Sequence, residues 1–273
     1  MIIIEKILLF LNLLTMPVPT AWCWFHILFL ALSAMAVGCF ITARRKSVTI
    51  APNQVFAWYS FLTLLLELVK QLMWSVQETD GVITWAYSWY SAPFQFCTMP
   101  LYICLVLCFL KRAKLREYFY SFLAFYSVIS MTLVMLFPGD VFTKFVIINI
   151  HTMVLHGGGF VVAMFVIINR LTEFTVKNVL KGAVVFLCLA SVALALNVIV
   201  ECSGINQGAE FNMFYISPYY PCRLPVFCHI QELVPYPLFL LIYIFSVCFG
   251  GILVLGIIKG IGTMLQKINL QNL

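Results

Sequence analysis

Seven apolar stretches run between polar breaks along the chain: 22–42, 55–74, 85–110, 118–137, 141–168, 182–200 and 236–258. Each is about as long as a helix needs to cross a bilayer at ~1.5 Å per residue. The pattern predicts an all-α, polytopic helical bundle of seven transmembrane helices. Residues 1–21 form an interfacial N-terminal segment, in which Glu5 and Lys6 break the apolar run and Pro17 and Pro19 close it. Residues 22–264 form a single transmembrane domain, and 265–273 a cytoplasmic tail. The stretch 141–168 is longer than one crossing, so it tilts or its ends leave the hydrocarbon.

The breaks differ in charge. Arg44-Arg45-Lys46, Lys111-Arg112-Ala113-Lys114, Arg170 with Lys177 and Lys181, and Lys259 with Lys267 make alternate loops and the tail basic. The loop with Glu78 and Asp80, the break Pro138-Gly139-Asp140, and 201–235 with its three acids are neutral or acidic. Basic loops stay on the cytoplasmic side, which predicts an outside N-terminus and a cytoplasmic C-terminus. The expected location of this multi-pass chain is the cell (plasma) membrane.

Only 10% of the 273 residues are charged and 63% are hydrophobic, which excludes a water-soluble domain. The net charge of +6 reports topology, so no nucleic-acid partner is implied, and no protein partner is inferable. Ten cysteines lie mostly inside apolar stretches as small hydrophobes. Cys202, Cys222 and Cys228 share a polar loop with room for one disulfide. No His–Cys grouping has zinc-type spacing and no phosphate loop occurs, so neither metal nor cofactor is expected.

Titratable groups inside spans are functional candidates by default. On a helix, Pro93, Cys97, Pro100, Cys104 and Cys108 share one stripe, and the prolines require that face to look into protein. Glu67, Lys70, Gln71 and Trp74 share another. They are either a neutralised ion pair that locks helices or a carboxylate that orients a histidine. His151 and His156 differ by about 140°, so both cannot face one site. Asn149, Thr152 and His156 share a side, and Gly157-Gly158-Gly159 permits close helix approach. His156 is therefore the better inward imidazole, against the reading of a hydrogen-bonded structural histidine. His26 lies near the head of the first span, beside Trp22 and Trp24.

Cys97 and His156 are each twelve residues below the start of their crossing (Trp85 and Lys144), ~18 Å deep. A thiol and an imidazole at one depth are what nucleophilic acyl transfer requires. Two other readings use the same residues: a small secondary transporter or channel, or a non-catalytic membrane protein whose buried polar groups are helix glue.

Pro93-Phe94-Gln95-Phe96-Cys97 resembles the Pro-aromatic/Leu-His/Gln-Leu-Cys motif of the YwaF-like / transmembrane protein 164 family. His26 and His156 are similar to that family's first-span and fifth-span histidines. Asn212-Met213-Phe214-Tyr215-Ile216 resembles its Asn-Tyr-Met-Tyr-Leu signature, and Val234-Pro235-Tyr236-Pro237-Leu238 its Gly-Pro-Trp-Pro-Trp. The interval from Asn197 to Asn212 is longer than the family pattern, Val234 replaces a glycine and Phe214 a tyrosine.

The resemblance implies an integral membrane acyltransferase that moves a fatty acyl group between phospholipids through a cysteine thioester. Lysophospholipids, ether lipids included, would be acceptors, within a fold shared with membrane hydrolases of fatty-acid esters. It implies Cys97 as nucleophile, His156 as base, and His26 and Gln95 as site-lining residues beside Glu67, Asn149, Thr152 and His151.

Overall fold

The computed structural model describes residues 2–79, 82–139 and 141–271; Asp80 and Asp140, expected in loops, lie outside the described residues. Helix α1 (Ile2–Leu13) precedes α2 (Trp24–Arg45) and α3 (Pro52–Ser75). A hairpin of β1 (Val76–Thr79) and β2 (Val82–Trp85) follows, with Val76 opposite Trp85. Then come α4 (Met99–Phe109), α5 (Ala113–Phe122), α6 (Val128–Leu136), α7 (Val146–Ile168), α8 (Val176–Ser203), α9 (Phe227–Leu233) and α10 (Tyr236–Gln271). Among the described residues six helices are long and apolar enough to cross a membrane, counting α5 and α6 as the single helix Ala113–Leu136, joined by the π turn Leu123–Ser127.

The third apolar stretch departs from expectation. Instead of one helix over 85–110, the chain leaves β2, passes 3₁₀ turns at Trp89–Ser91 and Phe96–Thr98, and becomes helical over Phe96–Phe109. At ~21 Å this helix is shorter than the ~30 Å hydrocarbon. The prolines are the cause. Pro100 occupies the first turn of α4, where a missing N–H is harmless, and the Pro93 carbonyl is turned to Thr98 Oγ1 (3.2 Å) and to the Tyr102 hydroxyl (2.7 Å). Pro93 therefore stands outside the helix and off the stripe expected for it.

Helix α7 is the post of the bundle. It is buried around most of its circumference and packs on α2, α3, α6 and the π turn, while α8 and α10 pack on that π turn and on each other. Its glycines set the spacing. A Cβ on Gly157 would meet Ser33 of α2, one on Gly158 the Tyr59 ring of α3 at 2.9 Å, and one on Gly159 the Met131 sulfur of α6 at 2.8 Å. The three absent side chains thus seat three different helices, which is the close approach the sequence predicts. Tyr59 also donates to Leu155 O (3.1 Å).

Both ends of the bundle are tied. At the lower end, Arg116 donates to Leu107 O (2.6 Å), Leu110 O (2.7 Å) and Asn53 Oδ1 (2.8 Å), joining α3, α4 and α5 where the basic loops gather. At the upper end, α1 lies across the tips of α3 and α7. Trp85 Nε1 donates to buried Glu5 (3.2 Å), Asn12 donates to Met73 O (3.3 Å), and Met16 and Leu14 pair with Lys144 and Val146. The opposite side of α1 leaves Ile3, Ile7 and Phe10 exposed, as an interfacial helix does. Trp58, Phe61, Leu65 and Leu68 on α3, and Leu241, Phe245 and Phe249 on α10, form similar lipid-facing surfaces.

Gly158→Val drives a branched side chain into the Tyr59 ring and separates α3 from α7. Overpacking of this kind is worth about 1–3 kcal/mol, so the purified protein unfolds several degrees lower in a thermal melt, while Gly256→Val, a site with no neighbour within 4 Å, leaves the melt unchanged.

Candidate active site

Antiparallel packing makes α3 a ruler for its neighbours. Ser60 Oγ donates to Leu101 O (3.3 Å) and Cys108 Sγ approaches Asn53 O (3.9 Å), which brings Cys97 level with about Leu64. His151 Nε2 stands 2.8 Å from Glu67 Oε2, and Tyr59 lies on Gly158, which brings His156 level with about Phe61. Cys97 and His156 are therefore ~5 Å apart in depth. The turn Phe96–Thr98 also packs directly on α7. Cys97 is half-buried, and Lys70, Glu67 and Tyr59 are close enough for charges to be felt between them and its thiol.

His156 is buried, and its Nδ1 lies 2.7 Å from Thr152 O, one turn back on α7. A carbonyl only accepts, so Nδ1 carries the proton and Nε2 presents a lone pair. That nitrogen has no partner among the described residues. His156 is also within reach of the charges of His151 and Lys70. Angular separation sends neither histidine toward lipid, because α7 is enclosed on nearly every side.

His26 is held differently. The Trp22 amide donates to its Nδ1 (2.9 Å), so its proton is on Nε2, which donates to Met135 O (2.8 Å). Both nitrogens are engaged in stapling the start of α2 to the end of α6. Asn149 likewise turns inward on its own loop, accepting from Thr143 N and donating to Thr143 O, both at 2.8 Å. Thr152 contributes its carbonyl to His156.

Glu67 has a lysine and a glutamine on one oxygen and a histidine facing the other. Lys70 Nζ is 2.7 Å from Oε1, Gln71 Nε2 donates to the same oxygen (2.7 Å), and His151 faces Oε2. The histidine it meets is His151, level with it on α7, and not His156. The ring N–H is off the line to that oxygen, so the contact is close without being an aligned hydrogen bond. Gln71 also donates to Ser91 O (2.6 Å), linking this cluster to the loop that leads to Cys97.

Gln95 clamps a second loop over the thiol. Its Nε2 donates to Asn212 O and its Oε1 accepts from Phe214 N, both at 2.9 Å. Asn197 does the same to Met213, accepting at 2.7 Å and donating at 3.0 Å. Between these two amides Phe214 and Tyr215 sit at φ 58° and 56°, left-handed backbone that bulky residues rarely adopt. The Phe214 ring packs with Phe94, Phe96 and Phe186, flanking Cys97. Burial pushes the Tyr215 phenol above its ordinary value, and Tyr90 and Cys97 nearby add to the effect.

Tyr59, Ser91 and Asn197 had no assigned role in the sequence reading. Tyr59 continues the buried stripe of α3 through Thr63 and Glu67, a helical period that could have found it. Ser91 and Asn197 act across long separations that no local pattern records. The ten cysteines are free thiols, and no three of His, Cys, Asp and Glu gather as metal ligands among the described residues.

Gln95→Ala leaves Asn212 O and Phe214 N without partners and removes one clamp from a strained turn. Each unsatisfied buried group is worth about 1–3 kcal/mol, so a melt records a clear loss of stability. Gln95→Glu keeps the acceptor for Phe214 N and falls between wild type and Gln95→Ala.

Comparison with known proteins adds the lineage. No curated protein and no solved structure matches the chain. The sequence signature of the TMEM164 family matches residues 17–255, which takes in every residue of the candidate site, and the chain belongs to that family of multi-pass membrane proteins.

Proposed function

We propose that the protein is a membrane-embedded acyltransferase that moves a fatty acyl group between phospholipids through a thioester on Cys97. The observation that carries this reading is the free Nε2 of His156, buried at nearly the depth of a half-buried thiol whose turn packs on the same helix. In the first half-reaction His156 Nε2 takes the thiol proton and the thiolate attacks the donor ester carbonyl. The carbon–oxygen bond breaks, the departing lysolipid oxygen receives the proton, and the acyl group stays on sulfur. In the second half an acceptor hydroxyl attacks the thioester, the new ester leaves, and the thiol is restored.

The surroundings suit that chemistry. Cys97 lies in the first turn of the helix Phe96–Phe109, at its positive end, where negative charge on sulfur or on an adjacent oxyanion is stabilised. The aromatic rings of Phe94, Phe96 and Phe214 supply an apolar wall for an acyl chain. Donor and acceptor reach the site within the bilayer, the plasma membrane in this reading, and no metal or cofactor enters the scheme.

Incubation with phosphatidylcholine is expected to add one acyl mass to the intact protein. Cys97→Ala abolishes both adduct and transfer while expression and melting are retained, and His156→Ala slows adduct formation by about 10²–10⁴-fold. Full transfer by Cys97→Ala would remove the reading.

A further inference from the structure

Two consecutive bulky residues hold left-handed backbone beside the thiol, and the acyl-transfer scheme gives their turn no task. Phe214 and Tyr215, at φ 58° and 56°, are kept there by three side-chain amides. Gln95 bonds Asn212 O and Phe214 N, and Asn197 bonds the amide and the carbonyl of Met213. Asn212 accepts from Ser217 N (2.9 Å) and donates to Pro221 O (3.0 Å). Backbone strain that is over-determined in this way is typical of sites where a side chain must be aimed. For Phe214 the aim is packing, since its ring lies among Phe94, Phe96 and Phe186. Tyr215 is different. Its neighbours Asn212, Met213, Phe214, Ile216 and Ser217 are buried, whereas Tyr215 is only half-buried, so it is the member of the turn that a ligand reaches. Its phenol is close enough to Cys97, Tyr90 and Arg223 for charges to be felt between them.

We propose that the Tyr215 hydroxyl is the oxyanion donor of the site, donating to the carbonyl oxygen of the ester attacked by Cys97 and then to that of the thioester. This rests on the acyl-transfer reading and adds a catalytic residue to it. As sulfur bonds to the carbonyl carbon, the π pair moves onto oxygen, and the phenolic O–H, aimed there in advance, stabilises the charge without giving up its proton. The pair then returns and expels the lysolipid oxygen. Discharge passes through the same tetrahedral arrangement in the opposite direction, so one donor serves both half-reactions.

The surroundings of the phenol suit a donor. A hydroxyl accepts and donates at once, so Tyr215 can accept from the neighbouring Tyr90 while it donates to substrate. Arg223, paired with Glu210, lies 5.0 Å from the centre of the Tyr90 ring and places positive charge behind the two phenols. Burial holds the Tyr215 phenol above its ordinary value, so it stays protonated next to a thiolate. Gln95, two residues before Cys97, grips the amide of Phe214, so nucleophile and donor are tied to each other through one side chain.

The test reads Cys97 acylation in full-length protein by intact mass with phosphatidylcholine, then its discharge on adding lysophosphatidylcholine. Tyr215→Phe keeps the ring and removes the hydroxyl, and both steps are expected to slow together by about 10²–10³-fold. Alkylation of Cys97 by iodoacetamide displaces iodide at a saturated carbon and forms no oxyanion, so its rate in Tyr215→Phe stays within about twofold of wild type. A phosphatidylcholine analogue with a trifluoromethyl ketone in place of the scissile ester adds the thiol reversibly and carries a tetrahedral oxyanion. Its binding is expected to weaken in Tyr215→Phe by about the factor lost in acylation. Acylation at the wild-type rate, an equal loss of alkylation, or unchanged affinity for the ketone would overturn the assignment. Absence of any adduct on wild type would end the acyl-transfer reading itself, a result distinct from all three.

Discussion

The contact between α3 and α7 governs this molecule. Three consecutive glycines bring α7 against Tyr59, Ser33 and Met131, and about two turns higher Glu67 meets His151 across the same seam. In hydrocarbon a carboxylate survives only if it is neutralised and enclosed, and close packing below Glu67 provides that enclosure. Lys70 and Gln71 complete the neutralisation from α3 itself. The arrangement is polar above and tightly apolar below, with the thiol of the adjoining helix level with the boundary.

The broken third stretch then has a physical purpose. A continuous helix over 85–110 would have paired every backbone group and carried Cys97 in mid-helix. With Pro93 ahead of it and Pro100 in its first turn, the helix starts at Phe96, so Cys97 stands at a helix N-terminus inside the bundle. The loops freed by that break are satisfied by amides: Gln95 and Asn197 hold the left-handed turn at Phe214 and Tyr215, and Gln71 holds Ser91. Irregular backbone at membrane depth is tolerated only where protein replaces the missing partners, and these side chains do so.

The four histidines show how environment divides one residue type into different jobs. His26 spends both nitrogens on backbone groups, His156 spends one and keeps a lone pair, and His151 turns one nitrogen to a carboxylate. His229, on the short α9, belongs to the upper loop region outside this set. The deciding factor in each case is what lies within 3 Å of the ring.

Much of this was legible from sequence. Apolar run length depends on chain chemistry alone, so the helical membrane class and most helix positions followed from it; so did the small-residue notch at Gly157–Gly159 and the grouping of Glu67, Lys70 and Gln71 on one helical face. Other features depend on which surfaces meet. The sequence could not say that Glu67 faces His151 and leaves His156 free, because that choice is set by the antiparallel register of α3 on α7. Nor could it place Asn197 on Met213 or Gln95 on Phe214, bonds between residues that only the folded chain brings together. Periodicity reports one helix at a time, whereas a site between helices is decided by their relative rotation and depth, and those are fixed by packing alone.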